Sequence, residues 1–175
     1  MDNEAELLRH HRPAALPPAV TTRDVRPLRK AERFLLAAFR KWRFEWECWE
    51  DGEPSDDMSD VEPSALEIHF DAAGLRAALP DFSEAMEALL FYSRRGLEIR
   101  PPSASPPSRD EERLLTLCTL SQAGSDGLVM ASLAVIMQSC HRPVTSRRLS
   151  MATTSLRAGG LLLPPPAMRL KPRLH

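Results

Sequence analysis

RKAERFLLAAFRKWRFEWECWE, residues 29–50, places Leu35, Phe39, Trp42, Trp46 and Trp49 at alternating steps of four and three. That spacing keeps every one of them on a single face of an α-helix. Helix-favouring Ala31, Glu32, Ala37, Ala38, Arg40 and Lys41 fill the flanks, and Gly52 and Pro54 end the run. One aliphatic and four aromatic side chains on one stripe need a cover, either the protein's own core or a partner. Large aromatics dominate burial in small domains, so the stripe is expected to be mainly core, with Arg40, Lys41 and Arg43 beside it in solvent. Trp and Arg are also enriched at the centres of interfaces, so Phe39, Trp42, Trp46 and Trp49 are the candidate partner-binding residues.

Beyond this helix the apolar pattern stays helical. Residues 65–70, Ala-Leu-Glu-Ile-His-Phe, alternate weakly and read as a short strand or an extended lead-in. Asp71 then caps a short helix, with Phe70 and Leu75 placed as a hydrophobic staple and Pro80 closing it. Asp81 and Glu84 resemble a capping box that opens a second helix with Phe82, Met86, Leu89 and Leu90 on one side, ending at Arg94, Arg95 and Gly96. Ser108 and Glu111 form another capping box. Asp110 and Glu112 add negative charge to that first turn, where the helix dipole favours it, and the helix stops at Gly124. A helix from Ser125 carries Val129, Leu133, Ile136, Met137 and Cys140 on one face and Leu128, Met130 and Val135 around the rest, the signature of a helix surrounded by others. Pro143 breaks it, and Thr145 starts a last helix with Leu149, Ala152 and Leu156 inward, ending at Gly159 and Gly160. Leu161 to Leu163 are expected to pack back onto the bundle.

All 16 prolines fall outside the helix interiors so drawn, which is the test that any helical reading must pass. They divide the chain into an arm (1–28), a first helical half (29–99) containing an acidic loop (50–62), an extended proline-rich linker (100–108), a second helical half (109–163) and a tail (164–175). The fold class expected is all-α: a bundle of about five or six helices in two halves joined by the linker, with a flexible N-terminal arm and a basic C-terminal tail.

A hydrophobic content of 43% with 27% charged residues is that of a globular chain, and the net charge of −1 gives no overall attraction to nucleic acid or anionic lipid. The charge is segregated instead. Residues 50–62 hold seven acids and no base, and residues 142–175 hold seven bases and no acid. The acidic amino terminus, Met-Asp-Asn-Glu, lacks the features of a secretory or transit signal, and the longest apolar run, Leu128 to Met137, is about half of what spans a bilayer. No membrane span is expected and the location expected is cytoplasmic. Cys48, Cys118 and Cys140, an odd number at wide spacing, read as reduced, buried thiols.

Catalytic chemistry has no local signature here. Neither a nucleophile elbow nor a phosphate-binding glycine loop is present, and the acids at 110–112 are accounted for by capping. Cys140 and His141 are adjacent but lack a second ligand pair, and His10, His11 and His69 stand apart, so neither a metal nor another cofactor is expected. The second half loosely imitates a winged helix-turn-helix, with Arg147, Arg148 and Arg157 on the would-be recognition helix, although the Cys140-to-Thr145 break is long for that turn. The function expected is therefore that of a non-catalytic adaptor or regulatory protein acting through protein contacts. The alternative is a DNA-binding regulator using the second half.

Overall fold

A computed structural model describes the backbone of residues 28–51 and 62–165 and the side chains of all of these except 49–51. The expected arm up to residue 27, the acidic loop 52–61 and the tail from residue 166 lie outside the described residues. Six α-helices pack together: α1 (Lys30–Asp51), α2 (Ala65–Ala72), α3 (Leu79–Phe91), α4 (Arg109–Gln122), α5 (Asp126–Ile136) and α6 (Arg142–Ala158). Short 3-10 turns, Arg76–Ala78 and Ser139–His141, lead into α3 and α6. No strand forms among the described residues. No helix among them is long and apolar enough to cross a membrane.

The most extensive packing is of α6 against α3, followed by α6 against α4, so helices from both sides of the proline-rich segment close over one core. Leu35 and Phe39 of α1, Phe70 of α2, Met86 and Leu89 of α3, Leu114 of α4, Leu133 of α5 and Leu156 of α6 are all buried in it. Two of the expected helix stops use one device. Gly124 and Gly160 take φ of 69° and 83°, and the N–H groups of Ser125 and Leu161 then reach back to the carbonyls of Leu120 and Leu156. Only glycine enters that left-handed region without strain, which is why each helix stops at its glycine. After Gly160, Leu161 and Leu163 pack back onto the bundle as expected, while Leu162 is exposed. Gln122 clamps them, donating to the Leu161 carbonyl at 3.0 Å and accepting from the Leu163 N–H at 2.8 Å.

Several local expectations are overturned. Residues 65–70 are helical, not extended. The Ser64 hydroxyl accepts from the Glu67 N–H at 3.1 Å and Glu67 accepts from the Ser64 N–H at 3.0 Å, a complete capping box that starts α2. Asp71 therefore lies inside α2 instead of capping a new helix. Pro80 does not close a segment either, because it sits in the first turn of α3, where its missing N–H has no partner to lose. Asp81 is thereby already helical and cannot cap. It and Glu84 instead receive the Arg148 guanidinium of α6, at 3.1 and 2.6 Å. At its other end α3 stops at Phe91, short of the expected Arg94 to Gly96, because Tyr92 to Arg94 pair with Ile136 to Gln138 across an isolated bridge between Ser93 and Met137.

The environment of α5 is the largest departure in packing. Val129, Leu133 and Ile136 are buried, but Leu128 and Val135 are 51% and 69% exposed, so this helix has one open face. It also ends before Cys140, which is exposed in the 3-10 turn, as Cys48 is on α1; only Cys118 is buried. The last helix begins at Arg142 with Pro143 in its first turn. Thr145 does not cap it, since its hydroxyl donates back to the His141 carbonyl at 2.9 Å.

Candidate functional site

The aromatic stripe of α1 runs from the core to the surface. Leu35, Phe39 and Trp42 are buried, and Phe39 stacks on Phe82 of α3 with ring centroids 5.9 Å apart. One turn further, Trp46 is half-buried and stacks on Trp42 at 5.4 Å. It also meets Phe91, the last residue of α3, in a T-shaped contact with ring centroids 5.2 Å apart, and Phe91 itself is 61% exposed. Trp49, the fourth candidate on the stripe, has its side chain outside the description. Phe91 was not picked out by its spacing. It follows an apolar run at the end of α3, and only the packing of α3 against α1 makes it the outermost ring of the series.

Beside these rings lies an open groove of about 600 Å³ between α1, α2 and α3. Trp42, Trp46, Leu66 and Leu79 give it apolar walls, while Glu45, Glu67 and Glu87 supply carboxylates and Ser64 and Ser83 hydroxyls. Glu45 reaches across to accept the Leu66 N–H at 2.7 Å, tying α1 to the start of α2. Glu67 is shared between the capping box and Arg76, 3.7 Å away.

Of the three cations beside the stripe, Arg40 does not lie in solvent. It is 5% exposed and forms a two-point pair with Glu111 of α4, which is fully buried: Nε to Oε1 at 2.8 Å and Nη2 to Oε2 at 3.0 Å. The Arg100 and Ser108 N–H groups complete the Glu111 carboxylate at 3.1 and 2.7 Å. Nη1 of Arg40 donates to the carbonyls of Ala104 and Pro102, so residues 100–108 are fastened along the bundle. A guanidinium fits this place because a proline-rich segment offers carbonyls but few N–H donors. Arg43, by contrast, pairs with Glu47 one turn on along α1.

The second candidate surface is the outer face of α6. Arg147 and Arg157 are exposed there, whereas Arg148 is turned into α3. The structure thus separates three residues that the sequence grouped. No group of three or more His, Cys, Asp or Glu among the described residues is arranged to hold a metal ion.

Two groups have displaced pKa values. Burial lowers that of His69 below the usual 6.5, aided by Lys41 and opposed by its hydrogen bond with the Phe34 carbonyl; its ring stacks on Phe34 at 4.3 Å. For Asp110, burial alone would raise the pKa above 3.8, but the Glu98 N–H, Arg113 and Arg95 outweigh it and hold it lower. Both depressed values act in the same direction, since each folded group resists a proton that the unfolded chain accepts. Unfolding free energy, followed by urea titration, should fall as the pH drops from 6.5 toward the lower folded value of His69. It should fall again below pH 3.8 as Asp110 is protonated. A His69→Phe variant should lose the first of these two steps.

No known protein-family model, no curated protein and no solved structure matches this chain.

Proposed function

We propose that the protein is a non-catalytic adaptor or regulatory protein acting in the cytoplasm through protein contacts, with the outer end of the α1 stripe as its docking surface. One observation carries this reading: the ring series Phe39, Trp42, Trp46, Phe91 starts in the core and ends on an exposed phenylalanine beside an open groove. Rings held rigidly from behind lose little freedom on binding, which is the property of anchor residues at interfaces. In this reading the two helical halves act as one rigid body that presents the groove, with residues 100–108 as the strap between them.

Photo-crosslinking tests the reading. A photoreactive phenylalanine analogue placed at position 91 of the full chain, in cells of its source, should yield a discrete protein adduct. The same analogue at position 128, an exposed apolar site on α5, is the control. An adduct from position 128 and none from position 91 would move the docking surface to α5.

A second reading, a DNA-binding regulator, is favoured by the mutual packing of α4, α5 and α6 and by the exposure of Arg147 and Arg157 on α6. Arg148 belongs to the fold in this reading and not to the contact. Two lost phosphate contacts should lower the magnitude of the salt slope of duplex binding by about 1.8 when Arg147 and Arg157 are both changed to Ala. An unchanged slope, or no duplex binding at low salt, rules this reading out.

A further inference from the structure

We propose that the groove between α1, α2 and α3 takes an arginine- or lysine-bearing segment of a partner protein, the cation lying over Trp46 and facing Glu45 and Glu87. This deepens the adaptor reading and rests on it. Three carboxylates and no base line the groove, and its apolar wall is made of two stacked indoles with Leu66 and Leu79.

Arg43 is engaged with Glu47, and Arg76 with Asp71 and Glu67, while Lys41 does not line the groove. Arg76 offsets part of the charge on Glu67. Glu45 spends one oxygen on the Leu66 N–H, and Glu87 has no ion pair among the described residues. What remains is a partly desolvated carboxylate site beside aromatic side chains. A guanidinium satisfies both features at once, by stacking on an indole and by donating in plane to a carboxylate. An ammonium satisfies the charge and the ring attraction without the planar fork. An acidic segment would be repelled, and a purely aliphatic one would cover the carboxylates without pairing them. The volume of about 600 Å³ suits one long side chain and its neighbours rather than a whole helix.

The test uses the full chain and three fluorescein-labelled decapeptides that differ only in carrying four arginines, four lysines or four glutamates. Anisotropy should show binding of the arginine peptide, weaker binding of the lysine peptide and none of the glutamate peptide, with affinity falling as salt is raised. Glu87→Lys should weaken the arginine peptide about tenfold or more. Trp46→Leu should weaken it roughly threefold, and Trp46→Phe should restore most of that loss. Thermal unfolding of each variant shows that it is folded before it is compared, and Glu87→Lys leaves the rings untouched. Equal binding of the arginine and glutamate peptides, no binding at all, or full affinity in Glu87→Lys would overturn the proposal. Truncation after residue 165 decides between occupants, because the removed segment carries Arg169, Lys171 and Arg173. Unchanged affinity supports an external segment, and tighter binding by the truncated chain would show the protein's own tail in the groove and overturn it. A crosslink from position 91 with failure of every peptide would remove the basic partner and leave the adaptor reading standing.

Discussion

Glu111→Ala is expected to lower the unfolding free energy by about 3–5 kcal/mol, because it strands a buried guanidinium and two backbone N–H groups at once. Against a total of about 5–15 kcal/mol for an ordinary domain, a loss of that size shifts the urea midpoint visibly or unfolds the protein. The cost of breaking the Arg40–Glu111 pair differs from the worth of having it. Replacing both residues together, as Arg40→Met with Glu111→Leu, should recover part of the loss, since the mutual dependence of the two charges is removed. Recovery should stop short of the parent, because the Arg100 and Ser108 N–H groups and the Ala104 carbonyl still lack their partners. A Glu111→Ala variant within about 0.5 kcal/mol of the parent would show that residues 100–108 are not held by this carboxylate.

The second large effect separates the two ends of the aromatic series. Trp42 is buried against Trp46 and the core, so Trp42→Ala should cost about 3–5 kcal/mol. At the surface end, Phe91→Ala should leave stability within about 0.5–1 kcal/mol, because its ring is 61% exposed and makes a T-shaped contact with Trp46. Trp46, half-buried between them, should fall in the middle. If all three alanine variants melted alike, the gradient from core to surface would be wrong. Differential scanning calorimetry on the three proteins measures it.

What the sequence made legible was whatever a helix states about itself. The start of α4 rests on Ser108 and Glu111, three residues apart, and its end on Gly124, so both could be read locally. The all-α class, expected as a bundle of about five or six helices, followed from such signals. The same kind of signal, Ser64 with Glu67, was present for α2, and it was masked by the weak alternation of the following residues. Other features needed a partner far along the chain. Glu111 was accounted for by capping alone, although its larger role is to bind Arg40, 71 residues away. Arg40 was assigned to solvent because arginine usually lies there, and nothing in its neighbours announces a buried carboxylate. Asp81 and Glu84 have the spacing of a cap, but Pro80 could join the first turn and leave them free for Arg148. At the candidate site, Trp42 and Trp46 stood out by periodicity. Phe91, Glu45 and Glu87 did not, because the groove exists only where three helices meet.

In the proposed function the outer end of the stripe binds a protein and contributes little to the fold. Capture of the crosslinked partner by tagged full-length protein, quantified for the parent and for Phe91→Ala with the unfolding curve of each recorded in parallel, tests it most directly. Near-superimposable unfolding curves are expected, with partner binding weakened by about 2 kcal/mol, close to thirtyfold. Undiminished capture by a Phe91→Ala protein that unfolds like the parent would contradict it.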